Sequence, residues 1–254
     1  MKRFWKYLTV SLLSISLTTP ILTTPIISNS QGPRTLHAAE ETAVEANVQQ
    51  VFDELQAYFP NEALPHFIQT PEMPGYLSAA TTETTDINNF KIFYYSEEDP
   101  ISVNDPILNQ KVPIASFQRI EYDNEELAIA AIKQIKDFNG EPIDLGYGIT
   151  GYQSGAMGSS YLDWMEGNWS LNIRAANQEG KDPTHLGKEV VSYLEKFLLP
   201  APETAGQINL KLKDNASFEE NVAAWQIGNV VYITTHKDPF TLIQMTASMT
   251  QPYE

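Results

Sequence analysis

The segment spanning residues 146–160 is the part of the chain whose residue types come closest to a chemical signature. Gly146, Gly148 and Gly151 have the spacing G-x-G-x-x-G. In dinucleotide-binding folds that motif joins a strand to a helix whose first amides hold a pyrophosphate. Residues 152–155 are poor helix formers, so the helix is missing from the pattern. We therefore interpret the motif as part of a glycine-rich, bulged strand, and we predict no cofactor.

The same segment supplies hydroxyl groups for a second kind of chemistry. Ser154, Ser159 or Ser160 would form a hydrolytic site with His185 or His236 if the fold brought them together. The nucleophile motif G-x-S-x-G is absent, because the serine of Gly-Tyr-Gln-Ser-Gly stands fourth rather than third. Surface positions explain both histidines more simply. An exported serine-type hydrolase that uses residues 151–160 stays the alternative to a non-enzymatic role.

Metal-ligating patterns are missing from the sequence. His66, His185 and His236 lack the close spacing of metal-binding histidines, and the chain has no cysteine. The clusters of acidic residues do not match a calcium-binding loop. The sequence therefore predicts no metal site, and it assigns no catalytic residue.

One phrase occurs twice in the second half of the chain. The pattern W-x-x-G-N begins at Trp164 and at Trp225, and K-D-P-x-x-L follows at Lys181 and at Lys237. Gly and Asn tolerate the positive φ that two-residue hairpin turns require. Asp-Pro is typical of a helix start, with Asp as the cap and Pro in the first turn. Each phrase thus predicts a β-hairpin followed by a capped helix.

Function is expected in the residues that the two copies do not share. Trp164 and Trp225 occupy the same position, which favours core packing for both. Trp169 has no Trp counterpart, because Val230 occupies its place, and it is the better candidate for an exposed functional aromatic. Besides Trp169, the candidate residues for ligand or partner binding are Tyr152, Gln153, Ser154, Ser159, Asp163 and Glu166.

Hydrophobic periodicity predicts the elements of the first half. Apolar residues at steps of three and four predict a helix over residues 43–59, and apolar runs predict strands over 90–95 and 112–122. Residues 60–88, rich in Pro, Thr and Asn, indicate a long connection with one short strand near 66–69. The polar stretch 96–110 indicates a surface loop.

The middle of the chain predicts a further helix and strand. Asp123-Asn-Glu-Glu126 matches a capping box, in which the Asp side chain accepts from the N3 amide. The helix is expected to end near Gly140. Residues 143–153 alternate between apolar and polar types and predict one strand.

These elements indicate an α+β protein. We expect an antiparallel sheet or sheets with helices packed on one face, built from a repeated strand–hairpin–helix unit. After residues 1–39 come an N-terminal α+β part, 40–140, and a C-terminal part, 141–254. The C-terminal part holds the two repeated units, 141–199 and 206–250. The sequence leaves open whether these units form one sheet or two.

Residues 1–39 indicate an export signal. Three basic residues within positions 2–6 precede an apolar stretch at 7–17. That stretch is shorter than the roughly 20 residues of a membrane-spanning helix. We expect cleavage near Ala39 and an extracytoplasmic location, either secreted or in the cell envelope. Only an uncleaved leader would attach the chain to a membrane.

The charge balance excludes one class of partner. Removing residues 1–39 takes away four basic residues and no acidic one, leaving 12 basic and 32 acidic residues and a net charge of about −20. Such a surface repels the phosphates of nucleic acids and of anionic lipids. The lack of cysteine excludes disulfides, so the core must supply the stability alone.

The end of the chain resembles a known family. Trp225, Gly228 and Tyr232, followed by L-x-x-M-x-A-S-M from Leu242 to Met249, are similar to a C-terminal signature. It belongs to a domain of unknown function carried by exported lipoproteins and sigma-factor-linked regulators of low-GC Gram-positive bacteria. The resemblance covers about 25 to 30 residues. It implies an extracytoplasmic, non-catalytic module, although this chain lacks the lipidated cysteine of the lipoproteins.

Together these observations predict an exported, non-enzymatic protein that acts by binding. The expected partner is an envelope protein or a small apolar ligand. An apolar groove between the helices and the sheet would support the second of these.

Overall fold

The computed structural model describes residues 34–68, 75–82 and 86–250, with side chains from residue 42 onward. Most of the expected export signal lies outside these residues. Among the described helices, none is long and apolar enough to cross a membrane.

The described residues form an α+β fold. The α-helices are α1 (Arg34–Tyr58), α2 (Glu125–Ile132), α3 (Pro183–Leu194) and α4 (Pro239–Ser248). The first five strands are β1 (Tyr76–Thr81), β2 (Phe90–Glu97), β3 (Ala115–Glu121), β4 (Glu141–Gly146) and β5 (Ile149–Ala156). The other five are β6 (Ser159–Glu166), β7 (Trp169–Ala176), β8 (Gly206–Leu212), β9 (Asn221–Ile227) and β10 (Val230–His236).

All ten strands belong to one sheet, in the order β1-β2-β3-β10-β9-β8-β7-β6-β5-β4. β3 pairs with β10, so the N-terminal strands continue the sheet of the C-terminal part. β7 and β8 pair in parallel, with Trp169 opposite Gly206, whereas the other pairs are antiparallel. The sequence left one sheet or two open, and the structure forms one.

Alternation of side chains divides the sheet into two faces. On the first, which we call the helix face, Phe117, Ile173 and Trp225 join the apolar side chains of α1, α3 and α4 in one core. On the opposite face, Val231 belongs to a smaller cluster with Ala128 of α2. The prediction that the helices share one face is therefore wrong for α2. This helix contacts β9 and β10 from the opposite face.

Two hairpins turn on Gly-Asn pairs. Gly167 and Asn168 join β6 to β7, and Gly228 and Asn229 join β9 to β10. Only the glycines have positive φ, 56° and 57°, as in turns with glycine at the first central position. The asparagines brace neighbouring segments instead, because their amides donate to main-chain carbonyls at 2.8 to 3.1 Å.

The helices after these hairpins both begin at an Asp-Pro pair. The carboxylate of Asp182 accepts from the N–H of Thr184 at 2.9 Å, and that of Asp238 from the N–H of Thr241 at 2.7 Å. Each proline occupies the first turn, where its missing N–H leaves no hydrogen bond unmade. The predicted caps are confirmed.

The structure corrects the prediction for α2. Asn124, rather than Asp123, caps this helix, because its side chain accepts from the N–H of Leu127 at 2.9 Å. Lys133 adopts the left-handed conformation with φ of 53°, which ends the helix well before Gly140.

The N-terminal part contains order that its composition does not reveal. α1 extends beyond the predicted helix at its N-terminal end. β1 lies inside the stretch interpreted as a connection, whereas residues 66–68 form no strand. Leu108 is buried in a short 3₁₀ helix, Pro106–Gln110, where the sequence predicts a surface loop. These segments are held by distant strands, so their own composition predicts them poorly.

The glycine-rich stretch 143–153 forms a hairpin rather than one strand. Gly146, Tyr147 and Gly148 all have positive φ, of 94°, 54° and 81°, and reverse the chain between β4 and β5. A register shift between Asp144 and Gly146 adds a bulge. A strand follows the motif where a dinucleotide-binding fold requires a helix, so this motif does not have the geometry of a nucleotide site.

The outer strands of the sheet have protected edges. The N–H groups of Leu77 and Thr81 on β1 donate to the side chains of Asn47 and Asn104, at 2.7 Å each. On β4, Pro142 has no N–H to donate. The N–H groups of Leu77 and Thr81 are therefore occupied at the edge of β1, and the edge of β4 lacks one donor.

Gly206 packs against the indole of Trp169. A Cβ at Gly206 would lie 2.6 Å from Trp169 Cε3 and 2.7 Å from Pro202 Cγ. The ring cannot withdraw easily, because its N–H donates to the carbonyl of Pro200 at 2.9 Å. We expect Gly206→Ala to lower the free energy of unfolding by about 1–3 kcal/mol in urea titrations. Gly155→Ala is the matched control, since its Cβ meets the nearest atom at 3.9 Å. Equal effects would contradict the packing argument.

The prediction of a surface position is wrong for His236, which lies fully buried at the end of β10. Its Nδ1 accepts from the N–H of Asp238 at 2.9 Å, and its Nε2–H donates to the carbonyl of Ile68 at 3.0 Å. Burial lowers the pKa of His236, against the opposing effect of its contacts with Asp238. The ring is therefore neutral in the folded state.

The buried His236 ring makes stability depend on pH. Below the ordinary pKa of 6.5 the unfolded chain binds the proton first, so stability is lost as the pH falls from there toward the lowered pKa of the folded state. Each unit by which folding lowers the pKa of His236 contributes about 1.4 kcal/mol to the free energy of unfolding above pH 6.5. We expect the free energy of unfolding in urea to fall as the pH decreases below 6.5, and to fall less in His236→Gln. The same loss in both proteins would refute this assignment.

Candidate functional site

The opposite face of the sheet is open to solvent over much of β5–β8. On this side α2 contacts β9 and β10. Most of the side chains that β5–β8 place on this side are exposed or half-buried. We call this surface the polar face. Its side chains are those of Tyr152, Ser154, Ser159, Tyr161, Asp163, Asn172, Arg174, Asn209 and Lys211.

The sequence of β7 shows why the face is polar. Leu171 and Ile173 are fully buried on the helix face. Ser170, Asn172 and Arg174 alternate with them and point to the other side. Because successive side chains of a strand point to opposite faces, the same alternation fills the core and sets out the polar face.

Strand pairing arranges the polar face in two adjacent rows. The first row, rich in carboxylate and amide groups, is Tyr152, Asp163, Asn172 and Asn209. The second row, which carries hydroxyl and cationic groups, is Ser154, Tyr161, Arg174 and Lys211. Four strands thus contribute to each row.

Asp163 is held by its neighbour on β7. The amide of Asn172 donates to the Asp163 carboxylate at 2.7 Å. Partial burial raises the pKa of Asp163, and the hydrogen bond from Asn172 opposes that rise. The second carboxylate oxygen is available as an acceptor for a ligand hydroxyl or amide.

Arg174 is oriented by contacts that leave its end exposed. Its Nε–H donates to the hydroxyl of the buried Ser159 at 3.2 Å. The guanidinium carbon lies 5.8 Å from the centroid of the Tyr161 ring, within the range of a cation–π contact. The terminal amino groups of Arg174 make no hydrogen bond or ion pair to another described residue, so they are free to bind a ligand.

Lys211 stands beside Arg174 on β8 and has an acidic partner. Its ammonium lies 3.2 Å from Glu220, which also lies 3.0 Å from Lys213. The hydrogen bonds from Lys213, from the N–H of Ser217 and from Lys211 lower the pKa of Glu220 to about 2. This carboxylate therefore stays ionised and neutralises part of the charge in the cationic row.

The segment 133–140, which we call the strap, crosses the opposite face between α2 and β4. The amide of Gln134 donates to the carbonyl of Asn168 at 2.7 Å. The N–H of Ile135 donates to the side chain of Gln207 at 2.9 Å. The strap thereby borders the polar face on the side of the hairpin turn.

An aromatic pair joins the strap to the polar face. The rings of Phe138 and Tyr152 have centroids 6.0 Å apart, with planes inclined by 36°. Together with Tyr161 in the next row, Tyr152 places flat aromatic surfaces at two positions on the polar face.

The structure separates the seven predicted site residues. Tyr152, Ser154, Ser159 and Asp163 lie on the polar face, whereas Gln153 points to the helix face. The remaining two, Trp169 and Glu166, line a groove of about 350 Å³ between the β6–β7 hairpin and the end of α3. We call it the hairpin groove.

The expectation that Trp169 is exposed is wrong. Its exposed fraction is 4%, and its ring centroid lies 5.9 Å from that of Trp225. Trp164 and Trp225 are buried as predicted, at 0% and 1%. Trp169 instead fills the space beside Gly206, at the start of the parallel strand β8.

Glu166 is the polar group of an otherwise largely apolar groove. The indole N–H of Trp164 donates to its carboxylate at 2.9 Å. Burial raises the pKa of Glu166, the bond from Trp164 lowers it and nearby Glu195 raises it further. Leu194, Leu198 and the residues 199–202 form the apolar wall.

A larger cleft, of about 920 Å³, lies where α4 begins. The lysine before each Asp-Pro pair lines it, as do further charged side chains. These are Lys181, Lys213 and Lys237, with Glu189, Asp214 and Asp238. Lys181 lies 2.6 Å from Asp214. Because the positive and negative charges balance, the cleft does not favour a ligand of either sign.

The serines and histidines of the hydrolase hypothesis are not assembled into a site. The hydroxyl of Ser159 accepts from Arg174, and that of Ser160 donates to Asn177 at 2.8 Å. Both ring nitrogens of His236 are engaged by main-chain groups. Within residues 86–250, no hydrogen bond joins His185 or His236 to a serine of the segment 151–160.

No group of three or more acidic or histidine side chains that would hold a metal ion occurs among the described residues. No family model, no curated protein and no solved structure matches this chain.

Sequence reasoning missed several residues of the polar face, above all Arg174, Tyr161 and Asn172. The usable signal was the alternation of polar and apolar types in β7, which places Asn172 and Arg174 on the face away from the core. Their neighbours on β6 and β8 depend on strand register, which the sequence did not specify.

We expect Asn172→Ala to raise the pKa of Asp163, because the ionised carboxylate loses the hydrogen bond that stabilises it. Carbon-13 NMR titration of the Asp163 carboxyl group would measure the change. Asn209→Ala is the control, since Asn209 lies in the same row and makes no hydrogen bond with Asp163. An unchanged or lower pKa in Asn172→Ala would contradict the pairing.

Proposed function

We propose that this protein is exported and acts by binding a partner or ligand on the polar face, without catalysing a reaction. The observation that carries this proposal is the convergence of aromatic, carboxylate, amide and guanidinium groups from four strands on a surface that none of the described helices covers. Such groups fix the orientation of a ligand through hydrogen bonds and flat contacts.

Folding alone does not account for these side chains. The buried residues of the helix face and the small cluster under α2 form the apolar core. Arg174 and Asn209 are exposed, and Tyr161 and Asp163 are only half-buried. A solvent-facing sheet surface is stable with simpler polar residues, so the aromatic and guanidinium groups favour a binding role.

The polar face also supports binding rather than hydrolysis. Its acidic group, Asp163, is paired with an amide, and its buried hydroxyl, Ser159, is paired with a guanidinium. A hydrolytic site requires a nucleophile in contact with a base. The arrangement instead leaves acceptor and donor groups pointing outward from a rigid sheet.

Export is supported by the sequence. The basic and apolar segments at the N-terminus, the acidic remainder and the absence of cysteine are typical of an exported chain that needs no disulfides. The resemblance at residues 225–249 to a domain of exported lipoproteins and sigma-factor-linked regulators agrees with this. We place the protein outside the cytoplasm, secreted or in the cell envelope.

We further propose that the two hairpin–helix segments are copies of one structural unit. Both contain a Gly-Asn turn with positive φ at glycine and a helix capped by Asp-Pro. The polar face belongs to the first of them and to the strands that join it. A small apolar ligand is the second kind of partner, for which the hairpin groove offers apolar walls and the Glu166 carboxylate.

A site-specific crosslinking experiment tests this function. A photoreactive residue would replace Tyr161 on the polar face or, as the matched control, Lys188 on the exposed side of α3. We expect the chain in the extracytoplasmic fraction, with a crosslinked product from position 161 that is absent from position 188. The product would then be identified by mass spectrometry.

Two results would overturn the proposal. One is retention of the unprocessed chain in the cytoplasm together with no product from position 161. The other is covalent labelling by a serine-directed phosphonate that Ser154→Ala or Ser159→Ala abolishes, because it would establish the hydrolase instead.

A further inference from the structure

The guanidinium of Arg174 is unusual in this chain. Only two arginines follow residue 39, Arg119 and Arg174. Arg119 pairs with Glu62 at 3.1 Å and with Glu121 at 3.5 Å. Arg174 pairs with none of the described carboxylates, although acidic residues outnumber basic ones two to one. An arginine that lacks a partner in so acidic a chain is available to an external anion.

The surroundings of Arg174 hold the group in place for such a ligand. The Nε–H of Arg174 donates to the hydroxyl of Ser159, and its guanidinium carbon lies 5.8 Å from the centroid of the Tyr161 ring. These contacts leave the two terminal amino groups, which are the ones that bind a carboxylate in bidentate fashion. These contacts reduce the entropy cost of ordering the Arg174 side chain on binding.

The chain as a whole is acidic, but the charge next to Arg174 favours an anion at this point. Arg174 and Lys211 are paired in register on β7 and β8, with side chains on the same face. Like charges side by side on adjacent strands repel. Glu220 pairs with Lys211 and so neutralises only one of the two charges. An anion bound at Arg174 would reduce the repulsion that is left.

The adjacent row indicates what the anion is attached to. Asp163, Asn172 and Asn209 present carboxylate and amide groups, which bind the hydroxyls of sugars through paired donors and acceptors. Tyr152 at the end of this row offers a flat ring. A peptide of aspartate and glutamate residues fits less well, because it carries no hydroxyl groups to donate to the Asp163 carboxylate.

We infer that the polar face binds an acidic saccharide, with a sugar carboxylate paired to Arg174 and sugar hydroxyls bound by Asp163, Asn172 and Asn209. The open surface of four adjacent strands suits an extended oligomer, several rings of which lie across the strands. This inference rests on the proposed binding function and specifies its ligand class.

Calorimetric titration of the full chain tests the inference. The probe is an oligomer of galacturonic acid, and its control is the same oligomer with every carboxyl reduced to a hydroxymethyl group. We expect the acidic oligomer to bind about tenfold more tightly than the reduced one, with affinity that falls as salt is added.

Three variants locate the binding. Arg174→Gln is expected to weaken binding of the acidic oligomer by about tenfold, and Arg174→Lys is expected to lie between that variant and the unaltered protein. Lys188→Gln removes the same charge from exposed α3 and is expected to bind like the unaltered protein. Thermal unfolding of each variant checks that it is folded.

Equal affinity for the acidic and reduced oligomers would overturn the inference, as would unchanged binding in a folded Arg174→Gln protein. Binding of polyglutamate in place of the saccharide would assign the face to an acidic peptide instead. If no saccharide binds but position 161 still yields a specific crosslink, the ligand class is wrong and the binding function stands. If neither is found, both fail.

Discussion

One constraint governs this protein: a single sheet of ten strands has two faces, and each strand must supply both with alternate side chains. Burial of the helix face under α1, α3 and α4 supplies most of the apolar area removed from water. The pairings of β3 with β10 and of β7 with β8 make the sheet continuous. Because α1, α3 and α4 cover one side, the alternate residues of β5–β8 are free to be polar on the other.

The parallel junction between β7 and β8 is where this constraint is tightest. Trp169 enters the core there because Gly206 leaves room for its ring, and its indole N–H is satisfied by the carbonyl of Pro200. The same junction brings Lys211 beside Arg174 on the opposite face. The same register between β7 and β8 thus places Trp169 beside Gly206 in the core and Lys211 beside Arg174 on the polar face.

Local sequence signals predicted local structure well. The Asp-Pro caps and the glycines of both turns lie where the sequence places them, and Trp164 and Trp225 fill the core as expected. The predictions failed where one residue pattern is typical of two different structures. Asn124 and Asp123 are both good caps, and the strand β1 has a composition that is equally typical of a connection.

The candidate site was predicted less completely than the fold. Tyr152, Ser154, Ser159 and Asp163 do come together, but Gln153 faces the helices and Arg174 was overlooked. Whether two residues share a surface depends on the register between strands. A shift of one residue in that register would move every side chain to the other face.

The sequence by itself determined the α+β class, the positions of the turns and caps, and the acidic, cysteine-free character of the chain. These follow from dihedral preferences, from hydrogen bonds within a few residues and from composition. Only the tertiary structure decided that the strands form one sheet, that α2 lies opposite the other helices, and that Arg174 stands beside Asp163 and Tyr161 on an open face. Those outcomes depend on pairing between strands far apart in the chain, and no local pattern encodes the partner or the register.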